Sequence, residues 1–154
     1  MVRIGLISDT HGLLRDSALA FLAGCNHIVH GGDIGSEAIL DRLAAIAPVS
    51  AVRGNNDHGA WAERLPRQCL VEFERVRVCV VHALAELEFD AHAAGVQVVV
   101  SGHSHKPRIV ERDGVLYVNP GSAGPRRFRL PICVGELMVD GTHATPRVAE
   151  IASG

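Results

Sequence analysis

Two pairs of residues in this chain place a histidine two positions after another possible metal ligand. Asp9 is followed by His11, and His103 is followed by His105. Each pair comes directly after an apolar run, VRIGLIS in one case and VQVVVSG in the other. A spacing of two lets both side chains leave an extended segment on the same side. Because carboxylates and imidazoles are both metal ligands, the two pairs are candidates for metal binding.

Three further polar residues follow predicted strands in the same way. Asp33 comes after HIVHGG, Asn55 after VSAVRG and His82 after RVRVCVV. Since ligand crevices in α/β sheets form at the carboxyl ends of the strands, all seven side chains would converge if these ends share one rim. Oxygen and imidazole donors without a thiolate favour Mn²⁺, Fe, Ni²⁺, Co²⁺ or Zn²⁺ over Ca²⁺. Seven ligands are too many for one open site, and they fit two ions that share a carboxylate.

The elements that would position these residues alternate between strand and helix in the first half of the chain. Apolar runs predict strands at 2–8, 27–30 and 49–54, and a spacing of three to four predicts helices at 17–24 and 36–48. This alternation is typical of parallel βαβ units.

The second half contains more hairpins. The stretch 55–68 is expected to be irregular and 83–95 to be helical. Strands are predicted at 69–74, 75–82 and 96–102, in a hairpin over 107–119 that turns at Asp113–Gly114, and in an antiparallel pair at 132–139 and 144–151. The two halves together predict an α/β fold of two mixed β-sheets packed as a sandwich and flanked by helices.

Length and charge limit the classes of protein that fit. A chain of 154 residues is expected to form one domain over 1–154. A net charge of −2 does not favour binding to nucleic acid or to an anionic membrane. We expect a cytoplasmic protein, because the N-terminal stretch lacks the apolar region of a signal peptide. The four widely spaced cysteines are expected to be reduced thiols.

The motifs, taken in order, resemble those of the calcineurin-like metallophosphoesterase superfamily. The resemblance covers residues 1 to about 131 and extends to the small YfcE-like or MJ-type phosphodiesterases, through an NPGS block at 119–122. The other blocks are D-T-H at 9–11, G-D at 32–33, G-N-N-D at 54–57, His82, and G-H-S-H at 102–105.

The resemblance implies a phosphoesterase that uses two divalent metal ions, with Mn²⁺ as the first choice, and that hydrolyses small phosphodiesters by attack of a metal-bound hydroxide. The substrate would be a small phosphate ester, and small members of the family are often homo-oligomers. By the resemblance, one ion is held by Asp9, His11, Asp33 and His105, and the other by Asp33, Asn55, His82 and His103, with Asp33 shared.

Two positions depart from the family pattern. His82 is followed by Ala83-Leu84 where a glycine often stands, but it ends a strand and is still expected to be a ligand. The second departure concerns the proton donor. Many members have a histidine after the metal-binding asparagine, and it protonates the leaving group, whereas this chain has Asn56. An amide has no usable proton near neutral pH, which weakens general acid catalysis. His58 could take over this role or could be a turn histidine in water. Asn56 and His58 are therefore the candidate catalytic residues, and substrates with good leaving groups are expected to react best.

A second hypothesis is that the chain is a non-catalytic scaffold of the same fold that binds protein partners. A eukaryotic retromer subunit resembles the family and is thought of in this way. Scaffold members are expected to lose several metal ligands, whereas all seven are present here. A nuclease would use the same metal chemistry, but the net charge gives little support for a basic groove.

Overall fold

A computed structural model describes residues 1–153, which contain two five-stranded sheets. The helices are α1 (Asp16–Leu22), α2 (Glu37–Ala44) and α3 (Ala60–Glu63). The strands are β1 (Val2–Ile7), β2 (His27–His30), β3 (Val49–Ala51), β4 (Gln68–Phe73), β5 (Val76–Val81), β6 (Val98–Val100), β7 (Arg108–Arg112), β8 (Val115–Asn119), β9 (Cys133–Asp140) and β10 (His143–Glu150).

Both sheets are mixed. The first has the order β10-β9-β1-β2-β3, in which β1, β2 and β3 are parallel and β9 and β10 are antiparallel additions. The second has the order β4-β5-β6-β8-β7, with β5, β6 and β8 parallel and both edge strands antiparallel. The helices α1 and α2 connect the parallel strands of the first sheet, as the alternating pattern predicted. The predicted fold class is confirmed.

The main hydrophobic core lies between the two sheets. Leu6 and Val29 from the first sheet and Val80 and Val100 from the second belong to this core and are fully buried. Residues next to them in the chain, such as Ile7, point to the other face and join a second core with α1 and α2. Because both faces of the central strands are covered, their sequences are continuous apolar runs.

The helix predicted at 83–95 does not form, and this prediction is wrong. The segment contains a short 3₁₀ turn at Leu84–Glu86 and then irregular chain and turns. Leu87, Phe89 and Ala91 contact the outer face of the second sheet, and the residues between them are exposed. This spacing of two is typical of an extended segment lying on a surface. Burial of alternate side chains therefore outweighs the helix-forming composition of this segment.

The remaining differences are small. The stretch 55–68, expected to be irregular, contains α3. All four cysteines are free within the described chain, as predicted. No helix among residues 1–153 combines the length and the hydropathy needed to cross a membrane.

Candidate metal centre

The loops that follow four of the strands meet at one rim of the sandwich. The amide of His11 donates to the carbonyl of Asp33 over 2.9 Å, which joins the loops after β1 and β2. The amide of Gly102 donates to the carbonyl of His82 over 2.9 Å, which joins the loops after β6 and β5. Strand ends that are far apart in the sequence are therefore neighbours in space.

Asp9, His11 and His105 form the first group of possible metal ligands, and one ligand atom from each lies within 4.8 Å of the others. Nε2 of His105 lies 3.4 Å from Oδ1 of Asp9 and 3.3 Å from Nε2 of His11. Asp9 and His105 are buried, whereas His11 is half-buried. The group combines one carboxylate with two imidazoles.

Asp33, His82 and His103 form a second group of the same composition within the same distance limit. Nε2 of His82 lies 3.3 Å from Oδ2 of Asp33, and the rings of His82 and His103 are 5.2 Å apart. Oδ2 of Asp33 also lies 3.7 Å from Nε2 of His11, which belongs to the first group. The Asp33 carboxylate therefore lies between the two groups, and His103 and His105 belong to different groups.

The Asp9 carboxylate is oriented by its neighbours. Its Oδ2 accepts hydrogen bonds from the Ser8 hydroxyl at 2.7 Å and from the His103 amide at 3.0 Å. Its Oδ1 is buried, has no hydrogen-bond partner in the described chain and faces His105. Burial raises the pKa of Asp9, but the contacts with His105 and Ser8 outweigh it and hold the pKa below its usual value. A buried, unpartnered anionic oxygen is suited to bind a cation.

His82 is held in one orientation. Its Nδ1 donates to the Gly31 carbonyl over 2.7 Å, so that Nε2 faces Asp33. This Nε2 is buried and makes no hydrogen bond of good geometry within the described residues. Burial lowers the pKa of His82, but the Asp33 carboxylate and the Gly31 carbonyl together raise it to about 9. A metal-binding imidazole commonly donates its other nitrogen to a carbonyl in this way, so the arrangement fits a cation at Nε2.

The backbone is strained at five of the candidate ligands. Asp9, His11, Asp33, His103 and His105 have φ between 46° and 72°, and they are five of the eight non-glycine residues with positive φ in the described chain. This left-handed conformation costs energy in residues other than glycine and is concentrated at functional sites. The expected extended segments at 9–11 and 103–105 are therefore wrong, because turns, not extended chain, bring each pair together.

Asn56 contacts the site directly. Its amide donates to Oδ1 of Asp33 over 2.9 Å, and its Nδ2 lies 3.1 Å from Oδ2 of the same carboxylate. Burial raises the pKa of Asp33, but the contacts with His82 and Asn56 outweigh it and hold the pKa well below its usual range. Asn55 lies exposed at the same turn, and His58 is exposed two residues after that turn. No hydrogen bond in residues 1–153 joins His58 to either group.

Asp57 has a role that the sequence analysis missed. It is buried, and its Oδ1 accepts hydrogen bonds from the amides of Ile34 at 2.8 Å and Gly35 at 3.0 Å. Its Oδ2 accepts from the amide of Gly54 at 2.9 Å. Asp57 thus ties the loop after β2, which carries Asp33, to the loop after β3. Its place at the end of the G-N-N-D block was the available signal.

His30 forms hydrogen bonds with the loops that follow β1 and β2. The amide of Gly32 donates to its Nδ1 over 3.1 Å, so the proton is on Nε2, which donates to the Thr10 hydroxyl over 3.0 Å. Thr10 in turn donates to the Ile34 carbonyl over 2.8 Å. His30 is fully buried, and this burial lowers its pKa to about 4. The imidazole is therefore neutral at physiological pH.

This buried histidine predicts a specific dependence of stability on pH. His30 is protonated near pH 6.5 in the unfolded chain and only near pH 4 in the folded chain. The contribution of its neutral form to the free energy of unfolding is therefore complete above pH 6.5 and is lost as the pH falls toward 4. From pH 7 to 4.5 we expect a loss of about 2 kcal/mol from this residue. Urea unfolding with a chelator present would measure it, and His30→Gln should remove that part of the loss. His143→Gln, which changes an exposed histidine, is the control. An unchanged pH dependence in His30→Gln would contradict the assignment.

The family model described as the calcineurin-like phosphoesterase superfamily domain matches residues 2–142. The chain belongs to this superfamily. The resemblance inferred from the motifs is therefore confirmed, and membership in the superfamily implies use of divalent metal.

Relatives of this superfamily member are named as phosphoesterases. A probable metallophosphoesterase of Methanothermobacter thermautotrophicus is 34% identical over 150 residues, which cover 90% of this chain and 86% of the relative. The phosphodiesterase MJ0936 of Methanocaldococcus jannaschii is 26% identical over 138 residues, covering 78% of this chain and 83% of the relative. The structure of Vacuolar Protein Sorting 29 from Cryptosporidium parvum superposes on this structure with a TM-score of 0.84 at 21% sequence identity. The match covers 99% of this chain and 93% of that protein's chain. The last likeness is one of fold.

Proposed function

We propose that this superfamily member is a phosphodiesterase that uses two divalent metal ions and acts as a single domain over residues 1–154. The observation that supports this most is the position of the Asp33 carboxylate between two groups that each contain two imidazoles. A pair of metal ions held side by side is an established arrangement for phosphoester hydrolysis.

The proposed ligand sets combine the two groups with their neighbours. Asp33 is the shared ligand, and Mn²⁺ is the first choice of metal, with Fe, Ni²⁺, Co²⁺ and Zn²⁺ also compatible with the donors. The first ion would be held by Asp9, His11, Asp33 and His105, and the second by Asp33, Asn55, His82 and His103. The unpartnered Oδ1 of Asp9 and Nε2 of His82 support these sets.

When bound, the cations would neutralise charge on the phosphoryl oxygens and make a water molecule acidic enough to act as the nucleophile. The chain itself orients the site. Ser8 and the His103 amide hold Asp9, and Asn56 holds Asp33. Because Asn56 occupies the position of the usual proton donor, protonation of the leaving group is weak.

This weak acid predicts a preference among substrates. In Mn²⁺ we expect an aryl phosphodiester such as bis-(4-nitrophenyl) phosphate to be hydrolysed at least about tenfold faster than an alkyl monoester, because an aryl leaving group needs no proton. Metal analysis of protein purified without chelator, together with a panel of both ester types, tests the proposal. Equal or reversed preference would count against the role of the leaving group.

A matched variant tests the cause of this preference. Asn56→His places an imidazole at the position where many family members have the proton-donating histidine. It should raise the rate on alkyl esters by about 100-fold, with little change for aryl diesters. His58→Gln tests the other candidate. If His58 is the proton donor, this variant lowers the rate on alkyl esters, and if His58 is a turn residue, it does not.

The alternative is a non-catalytic scaffold that binds protein partners. The observation that supports this alternative is the similarity of fold to Vacuolar Protein Sorting 29. Ligand-type residues at all seven positions favour the enzyme. A protein that binds no metal ion and hydrolyses no phosphoester would favour the scaffold.

We further propose a cytoplasmic location and a small phosphate ester as the substrate. The four free cysteines, three of them buried, support a reducing compartment. The net charge of −2 supports a small substrate over nucleic acid. A homo-oligomer is a further proposal, which sedimentation velocity would test.

A further inference from the structure

A cavity of about 510 Å³ opens beside the second group of candidate ligands. His103 and Asn119 lie at its end nearest the ligands, and the segment 83–87 forms one wall. The outer face of β7 and β8 also lines the cavity, through Arg108, Val110, Arg112 and Tyr117. Nδ2 of Asn119 donates to the carbonyl of Gly102 over 2.9 Å, which connects this wall to the loop that carries His103.

The register of the β7–β8 hairpin orders the basic residues along the cavity. Arg108 pairs with Asn119 at the end near the ligands, and Arg112 pairs with Val115 at the far end. Alternate residues of β7 share a face, so that Arg108, Val110 and Arg112 all line the cavity. The two arginines are four residues apart, which is about 13 Å along the strand.

Arg112 packs against an aromatic ring of the cavity wall. Its guanidinium lies 5.9 Å from the centre of the Tyr117 ring, and Tyr117 lies on the same wall opposite Val110. The candidate ligand His103 lies near the Arg108 end of the cavity, because Asn119, which pairs with Arg108, donates to the carbonyl of Gly102. Arg112 therefore faces a different part of any ligand that reaches from the metal centre into the cavity.

The charged side chains that line the cavity are all basic. Lys106, Arg108 and Arg112 line it, and no carboxylate lines it among residues 1–153. None of the three forms a salt bridge in the described chain, and Glu111 is on the opposite face of β7 because it lies between two lining residues. Arginine forks match phosphate oxygens in geometry, so the cavity is suited to an anion of this kind.

Part of the cavity lining is apolar. Leu84, which is 45% exposed, and Leu87 come from the segment that replaces the predicted helix. Together with Val110 and Tyr117 they provide surface for a flat or apolar group. The cavity volume lies within the range of sites for small organic ligands.

We propose that one ester substituent of the substrate phosphodiester enters this cavity, and that it is a group of nucleoside size carrying a second phosphate, held by Arg108 and Arg112. This inference rests on the proposed phosphodiesterase function and names its substrate class. The scissile phosphate lies at the metal centre, the flat group lies against Leu84 and Tyr117, and the second phosphate meets the arginines.

Two probes with the same leaving group test the inference. They are thymidine 5′-(4-nitrophenyl phosphate) and the same compound with an added 3′-phosphate. We expect the 3′-phosphate to lower KM by about tenfold, which corresponds to about 1.4 kcal/mol. The double variant Arg108→Gln/Arg112→Gln should lose this advantage. The double variant Arg42→Gln/Arg67→Gln changes charge equally at exposed positions outside the cavity and should keep it.

The outcomes separate this inference from the proposed function. If bis-(4-nitrophenyl) phosphate is hydrolysed but the two thymidine probes have equal KM, or the advantage survives in Arg108→Gln/Arg112→Gln, the inference is overturned and the phosphodiesterase stands. If no diester is hydrolysed, both fall together. Calorimetry with thymidine 3′,5′-bisphosphate gives a readout without turnover. We expect about tenfold weaker binding by the arginine variant, and equal binding would also overturn the inference.

Discussion

Asp33→Ala should abolish phosphodiester hydrolysis and reduce the bound metal to one ion or none per chain. Oδ2 of Asp33 lies 3.3 Å from Nε2 of His82 and 3.7 Å from Nε2 of His11, so its removal affects both groups of candidate ligands. Loss of several kcal/mol of charge stabilisation in the transition state corresponds to a fall in rate of about 10³-fold or more. Assays with bis-(4-nitrophenyl) phosphate and elemental analysis of the purified variant measure the two effects.

Asp41→Ala is the matched control for this change, because Asp41 is an exposed carboxylate of α2 outside the rim. It should leave rate and metal content at the parent values. Circular dichroism should show that both variants are folded. If Asp33→Ala still binds two ions, then Asp33 is not the shared ligand.

Gly54→Ala should destabilise the fold and empty the site together. A methyl group on Gly54 would overlap the backbone nitrogen and Oδ1 of Asp33, so one of the two loops would have to move. The Gly54 amide also donates to Asp57, which ties the same loops together. We expect a loss of about 3 kcal/mol in the free energy of unfolding and a fall in bound metal, measured by urea denaturation and elemental analysis.

Gly114→Ala separates crowding from backbone strain. Gly114 has φ of 76°, but a methyl group there would meet no atom within 4 Å in the described chain. It should therefore cost only about 1 kcal/mol from the left-handed backbone and leave metal content unchanged. An unfolding free energy of Gly54→Ala close to that of Gly114→Ala would contradict the packing argument.

Much of the fold could be predicted because its signals are local. Runs such as VRIGLIS and VQVVVSG are apolar throughout, since the central strands are covered on both faces. The turn at Asp113–Gly114 was visible from two residues. The helix predicted at 83–95 was wrong because the composition of this segment favours a helix, whereas its alternate apolar residues pack on a sheet surface that only the folded chain provides.

The candidate site was predictable to a similar degree. The types of residue at the strand ends indicated metal binding, and the order of the motifs indicated the superfamily. The role of Asp57 was not visible, because it depends on the amides of Ile34 and Gly35 in another loop. The contact of Asn56 with Asp33 also joins residues 23 positions apart.

The sequence by itself determined which donor atoms this protein carries and that they follow buried strands, because both properties belong to short stretches of chain. Only the tertiary structure decided which donors meet, that Asp33 lies between the two groups, and that an arginine-lined cavity opens beside them. The physical reason is that left-handed turns at residues such as Asp9 and His103 are unfavourable alone. They persist because hydrogen bonds and packing from distant parts of the chain hold them in place.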